Sequence, residues 1–359
     1  GSNLVMSIAN KDAVAESLLE YKFIVSFDLF LTETSNFVDI ILPDCSYLQS
    51  VNPHSNFPFI FSLPAGQGEW CWPIQQPVLP PDGEQRQFAD VLLELTDRVG
   101  FRAGLNTSYN AWLDLQPPYR LAGDNRYSYE EICDRELKNN FGAERGLDWF
   151  KENGVIKWKK KPEEVYWRPF VDMRVPIYWE FLKTAGDKIA AIAEPRGLKI
   201  PMEYYDPLPD FLPCRSHCCN KEGFDFYGFY YRDIVHTNSF TMENPWLDEA
   251  ARLDPFSYTI AINRAEAAKR GFTDGQLVWV ESETGRKVKG RLRLTEGIHP
   301  EGLGFAAMCG HWTDGQPVAK GKGVFYNDLL DLDWEHASPV NINLDLCVKV
   351  RVMPAEDVR

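Results

Sequence analysis

Between residues 224 and 352 the chain is written in short β-type runs, at 224–231, 258–262, 277–281, 287–294, 302–307 and 347–352. Turn signals such as Asp274-Gly275 and Thr284-Gly285 separate them. The runs at 278–282 and 287–293, joined through Glu283-Thr284-Gly285-Arg286, predict a hairpin. One short helix is expected over 263–270, ended by Gly271. Strands at this spacing around a single helix predict a compact β-barrel over 221–359.

The other end of the chain has a different pattern. Phe23-Ile24-Val25-Ser26-Phe27 is a continuous apolar run closed by Asp28, as expected of a strand buried on both faces of a parallel sheet. Residues 4–8 read as a preceding strand and 11–21 as a helix capped by Asn10. A third strand, 38–43, is stopped by Pro43. The succession predicts a right-handed βαβ unit. A helix over 88–100 follows, and 1–104 is expected to form an α/β portion. Residues 105–220 read as an irregular, mostly helical connection, with helices at 129–139, 147–153 and 177–193 and a proline-rich extended stretch at 201–213. The basic run Lys157-Trp158-Lys159-Lys160-Lys161 reads either as a phosphate contact or as a solvated strand or turn.

With 359 residues, 44% apolar and 25% charged, the chain is globular and of two or three domains. Its net charge of −14 argues against a nucleic-acid partner. No run of about 18 apolar residues occurs, so no membrane insertion is expected. The opening Gly1-Ser2-Asn3-Leu4-Val5-Met6 has neither a basic region nor a long apolar core, so it is not read as a signal peptide. It reads as a start inside a longer protein or after a removed tag, which leaves the compartment, prokaryotic cytoplasm or periplasm, open. Eight cysteines are too few for a disulfide scaffold. The cluster Cys214-Arg215-Ser216-His217-Cys218-Cys219 admits a metal reading but lacks a second half-site, so free thiols are the default. There is no Gly-x-x-x-x-Gly-Lys loop, no Gly-x-Ser-x-Gly and no paired-histidine motif.

Two blocks carry more. The first is Asp28-Leu29-Phe30-Leu31-Thr32-Glu33-Thr34 leading to Asp39-Ile40-Ile41-Leu42-Pro43-Asp44. The second runs from His236-Thr237-Asn238-Ser239-Phe240-Thr241 and Asn244-Pro245-Trp246-Leu247 through Gly271 and Gly285 to Gly297-Ile298-His299-Pro300. Together they resemble the C-terminal half of catalytic subunits of molybdopterin oxidoreductases of the dimethyl-sulfoxide-reductase family. The middle of the chain matches mainly around Val175-Pro176-Ile177-Tyr178-Trp179-Glu180. Two departures stand out: Asn3-Leu4 where the family often has Asn-Pro, and Val38 before Asp39 where it usually has Ala.

The resemblance implies a Rossmann-like parallel-sheet domain followed by a double-psi-type barrel. It implies bis-molybdopterin guanine dinucleotide with molybdenum or tungsten as cofactor, and a 4Fe-4S cluster in an N-terminal half that this chain does not match. Implied partners are that half, an iron–sulfur electron-transfer subunit and a small-molecule substrate. The implied reaction is two-electron oxygen-atom transfer or hydroxylation, of the thiosulfate, polysulfide or arsenate reductase kind or the phenylacetyl-CoA oxidoreductase kind. Asp28, at the carboxyl edge of its strand, could accept two hydrogen bonds from guanine, or could cap the next turn. Thr32 and Thr34 would supply hydroxyls and N–H groups to phosphate. His236, Ser239, Thr241 and Asn244 fall at cofactor contacts, with a helix cap as the alternative at Asn244. His311, Trp312 and Asn327 match later contact segments, the alternatives being a core aromatic and a turn. No catalytic residue and no metal ligand is assigned within the chain. Two rivals stand beside this reading: a cofactor-free interaction subunit derived from the same fold, and a hydrolase or transferase, for which no nucleophile–base pair is readable.

Overall fold

The computed structural model describes residues 2–53, 68–165, 177–208, 210–237, 241–331, 338–340 and 346–356. In chain order it contains helices α1 (Leu4–Ser7) and α2 (Lys11–Leu19), strands β1 (Val25–Asp28), β2 (Ile40–Pro43) and β3 (Glu69–Pro73), and helices α3 (Phe88–Arg98), α4 (Arg102–Trp112), α5 (Tyr129–Phe141) and α6 (Leu147–Asn153). Then come β4 (Val155–Lys159), α7 (Pro162–Val165), α8 (Glu180–Ala193), α9 (Arg215–Cys218), β5 (Phe226–Tyr231), α10 (Pro245–Ala251), β6 (Ile260–Asn263) and α11 (Arg264–Lys269). Strands β7 (Leu277–Ser282), β8 (Lys287–Thr295), β9 (Gly302–Ala306) and β10 (Val348–Pro354) complete it. The chain forms two compact units. One is Gly1–Val25, Phe30–Ile40 and Val175–Arg359; the other is Ser26–Leu29 and Ile41–Arg174.

The first unit is built on a closed six-stranded barrel of order β10-β5-β9-β6-β8-β7. The expected hairpin is β7–β8, with Val280 opposite Val288. Its sequence, alternating Lys287, Lys289 and Arg291 with Val288 and Leu292, sends every second side chain inward, as a half-buried strand must. Two pairings, β5–β9 and β6–β8, are parallel. The last strand, β10, lies antiparallel between β5 and β7. Phe226, Ile260, Ile262, Val278, Val280, Leu292, Leu303, Phe305 and Val350 fill the interior. Tyr326 closes one end, its hydroxyl 2.7 Å from the Gly228 carbonyl and 2.8 Å from that of Leu346.

The N-terminal helices are fastened to residues next to this barrel. Asn10 Nδ2 donates to Asp331 at 2.9 Å, Asn327 Nδ2 donates to the Met6 carbonyl at 2.8 Å, and Arg286 bridges Asp12 and Asp328. The strand expected at residues 4–8 is corrected by the structure: Leu4–Ser7 is a turn of helix. The N–H groups of Met6 and Ser7 both close on the Asn3 carbonyl. Val5 and Met6 are buried while Leu4 and Ser7 are exposed, a pattern one helical turn satisfies and strand alternation does not. The only parallel strand pair near the N-terminus among the described residues is therefore β1–β2. Ile24 and Asp28 carbonyls accept from Asp39 and Asp44 N–H in the same direction along both strands. A short 3-10 helix, Thr34–Phe37, connects them.

In the second unit, α3 to α6 pack around Leu93, Leu115, Ile132, Leu137 and Phe150. Helix α5 starts in a capping box between Ser128 and Glu131. The buried Arg102 guanidinium is clasped by Asp97 at 2.6 and 2.7 Å. The lysine-rich run falls largely on β4, paired antiparallel with β3 with Trp158 opposite Trp70, and reads there as a solvated strand.

Leu303 makes the barrel's dependence on its filling measurable. Leu303→Ala should destabilise the barrel unit by about 2–5 kcal/mol. Urea unfolding followed by tryptophan fluorescence would show the lower midpoint.

Candidate functional site

The loop after β9 is cross-linked to the turn that follows β1 and to Glu243. It begins with two left-handed residues, Met308 (φ 65°) and Gly310 (φ 85°). At Gly310 a Cβ would lie 2.3 Å from the Phe325 backbone nitrogen, and at Gly315 one would lie 2.3 Å from the Leu31 carbonyl oxygen, so both positions require glycine.

Glu33 holds one side of this loop and is completely buried. Its Oε1 accepts from the backbone N–H of Trp312 at 2.9 Å and of Thr313 at 3.2 Å. His311 Nδ1 lies 3.1 Å from both carboxylate oxygens, and Asn3 Nδ2 donates to Oε2 at 2.8 Å. Burial alone would push this carboxyl up. The hydrogen bond and charge of His311, with Asn3 and Trp312, outweigh it and bring the pKa down to about 2. Glu243 grips the other side, accepting from the N–H groups of Val318 and Ala319 at 3.0 Å.

Three expected contact residues gather at this junction. Thr34 is buried; its hydroxyl donates to Asn3 Oδ1 at 2.8 Å and accepts from Val5 N–H at 3.2 Å. His311 is 1% exposed, and its Nε2 has no partner among the described residues. Trp312 is partly exposed, with its ring 5.3 Å from that of Phe325. Thr32 is also buried, its N–H and hydroxyl both engaged with Ser35 Oγ. The side chain of Gln316 is fully buried with neither amide atom partnered among the described residues.

A second group surrounds His236. Its Nε2 is 2.8 Å from the Tyr258 hydroxyl, which donates to Asp248 Oδ1 at 3.1 Å. Since tyrosine has one proton and gives it to Asp248, its oxygen accepts from His236 Nε2–H, which assigns the tautomer. Burial holds the His236 pKa below its ordinary value, with Asp233 and Asp248 opposing. Burial, reinforced by Asp248, pushes the Tyr258 hydroxyl up. Asp248 is paired in turn with Lys322 at 2.5 Å and Arg252 at 2.6 Å.

Thr241 closes a small loop, its hydroxyl donating to the Thr237 carbonyl at 2.9 Å and accepting from Thr237 N–H at 2.8 Å. Asn244 caps α10, Oδ1 accepting from Trp246 and Leu247 N–H at 3.0 and 3.2 Å. Ser239 lies outside the described residues. Asn327 lines a cavity of about 210 Å³ together with Ser7, Tyr230, Met308 and Phe325.

Asp28 belongs to the second unit. It is 5% exposed; its Oδ1 accepts from Leu29 N–H at 2.9 Å, while the buried Oδ2 has no partner among the described residues. A carboxylate oxygen in that state is unstable unless something donates to it.

Sequence reasoning passes over Glu33, Glu243, Tyr258 and Asp248. Glu33 sits between two threonines in the turn that follows β1. Nothing local signals that three of its partners, at residues 311–313, lie far along the chain. Among the described residues no three or more His, Cys, Asp or Glu side chains gather to hold a metal ion, and no helix is long and apolar enough to cross a membrane.

The model for the molydopterin dinucleotide binding domain matches residues 226–342. The thiosulfate reductase molybdopterin-containing subunit PhsA of Salmonella typhimurium is 27% identical over 340 residues, covering 91% of this chain and 39% of its own length. A sulfite dehydrogenase subunit of Allochromatium vinosum is 26% identical over 318 residues, covering 78% of this chain and 32% of its own length. The chain thus spans well under half of these curated relatives. Among solved structures, acetylene hydratase from Pelobacter acetylenicus shares the fold over 99% of this chain and 43% of its own, with a TM-score of 0.65 at 16% identity.

Removing the Glu33 carboxylate would strand four donors, three of them buried. Glu33→Ala should cost about 3–5 kcal/mol. In the unaltered chain the contribution is fully present above the unfolded glutamate value of 4.5 and is lost as pH falls from 4.5 toward about 2. Denaturant midpoints measured along that pH series should show the acid loss in the unaltered chain and none of it in the variant.

Proposed function

Because the chain is a segment related to the catalytic subunits of molybdopterin oxidoreductases of the dimethyl-sulfoxide-reductase family, with their dinucleotide-binding domain at its C-terminal end, we propose that it is the part of such a protein that grips a pyranopterin guanine dinucleotide. The carrying observation is Asp28 Oδ2, buried and without a donor among the described residues. Guanine presents N1–H and N2–H₂ side by side, the pair of donors that a carboxylate at the carboxyl end of a parallel strand can take. The same oxygen favours a cofactor-loaded segment over a cofactor-free interaction protein, in which a lysine, arginine or amide would be expected to pair with it.

The remaining residues divide by chemistry. His311 Nε2 and the Gln316 amide offer polar atoms without a partner among the described residues, in the loop that Glu33 and Glu243 set. Asn327 and Trp312 present polar and stacking surface beside it, and Thr32 and Thr34 act by shaping the turn that follows β1. His236, as a neutral imidazole, together with Thr241, Asn244 and Ser239, would contribute polar contacts from the barrel unit in this reading. In this reading the α/β portion is Rossmann-like and the barrel of the double-psi type. The bound group, carrying molybdenum or tungsten, supplies two-electron redox chemistry on a small substrate such as a sulfur or other oxyanion. The protein orients it and excludes water. The rest of the catalytic polypeptide, with a 4Fe-4S cluster, and an iron–sulfur partner protein would carry the electrons.

The test is made on the complete catalytic polypeptide, expressed with molybdate and separately with tungstate. The purified protein should contain metal and release guanine nucleotide on acid hydrolysis. Asp28→Ala should reduce the nucleotide load at least tenfold, the equivalent of about 1.4 kcal/mol or more. Full load in that variant would remove Asp28 from the site, and an unaltered protein free of nucleotide would remove the reading altogether.

A further inference from the structure

We propose that Cys214 is a peroxide-reactive thiol, with His217 as its base and Cys218 as the thiol that resolves it. This site is independent of the dinucleotide reading. Cys214 immediately precedes α9 and is half-buried. Its Sγ lies 3.5 Å from His217 Nδ1 and 2.9 Å from the hydroxyl of the fully buried Ser216. The imidazole is held in that orientation by two rings, Phe211 at 6.2 Å and Tyr227 on β5 at 5.8 Å between centroids. A thiol with a proton acceptor on one side and a fixed hydroxyl on the other is the arrangement of an activated sulfur nucleophile. Four of the chain's eight cysteines, Cys45, Cys71, Cys133 and Cys309, are buried, whereas Cys218 is exposed. For Cys71, Cys133 and Cys309 burial pushes the thiol pKa up.

Cys218 lies four residues after Cys214, one helical turn away. That spacing puts the two Cα atoms about 6 Å apart, within the range a disulfide spans. Cys214 and Cys219 flank the helix, both in extended conformation, and Cys219 lies one residue beyond that spacing. Among the described residues, which include this whole cluster, no three metal-ligating groups gather, which favours thiol chemistry over metal binding.

The reaction balances with a hydroperoxide as oxidant. As Cys214 sulfur attacks the terminal peroxide oxygen, its proton passes to His217 Nδ1 and the O–O bond breaks. The departing alkoxide or hydroxide takes the proton from the imidazolium. Sulfur is oxidised by two electrons to the sulfenic acid and the peroxide is reduced to alcohol or water. The Cys218 thiol then attacks that sulfur, the S–S bond forms, the S–O bond breaks, and the hydroxide leaves as water with the Cys218 proton.

Treatment of the full chain with one equivalent of hydrogen peroxide, followed by peptide mass mapping, should give a Cys214–Cys218 disulfide two hydrogens lighter before any other cysteine changes. Cys218→Ser should stop at a sulfenic acid on Cys214, trapped by dimedone. His217→Gln should slow oxidation of Cys214 roughly tenfold while leaving alkylation of Cys219 at its original rate. Oxidation spread evenly over Cys214, Cys218 and Cys219, or a Cys214 rate indifferent to His217→Gln, would overturn the assignment. Trapping in Cys218→Ser keeps the site testable if the histidine variant does not fold.

Discussion

A single carboxylate, that of Glu33, is what the candidate site depends on. Taking a charge out of water costs several kcal/mol unless donors replace the lost hydration. Here one imidazole, one side-chain amide and two backbone N–H groups replace it. The donors come from residue 3 and residues 311–313, so one charge joins three stretches of sequence. The loop after β9 is then a defined surface rather than a mobile connection, because Glu243 repeats the arrangement at residues 318 and 319. An ionised side chain that satisfies backbone N–H groups does for an irregular loop what a sheet ladder does for a strand.

Two bulky residues of the barrel unit hold strained backbone. Tyr258 and Met308 take left-handed φ of 66° and 65°, where bulky side chains are disfavoured by about 1–3 kcal/mol. Tyr258 in this conformation stands between His236 and Asp248, and Met308 forms part of the cavity that Asn327 lines. Both are positions where surrounding contacts hold a costly geometry, as expected where side chains must be aimed.

Much of the architecture is legible in sequence because it is written in local periodicity. The helices at 88–98, 129–141 and 147–153 and the six barrel strands follow from spacing of apolar residues and from turn residues between them. Leu4–Ser7 misleads because four apolar residues in five look alike as strand or helix, and the deciding factor, closure on the Asn3 carbonyl, is a backbone matter. Asp28 stands out by its place at the end of an apolar run. The alternatives at Asn244 cannot be separated in sequence; in the structure its Oδ1 caps α10. Glu33 and Tyr258 are invisible for a different reason: their importance lies in partners brought together only by folding, and a glutamate between two threonines looks like any solvated turn.

The barrel also constrains how the chain is made. Its seam is closed by β10, which fits between β5 and β7, more than a hundred residues after β5 begins. Until β10 has been made, β5 and β7 each present an open edge, and the interior they should enclose is exposed to water. Most of this unit must therefore wait, unsealed, for its final strand. Burial of the barrel interior is thus late and rests on pairings distant in sequence, the kind that form slowly.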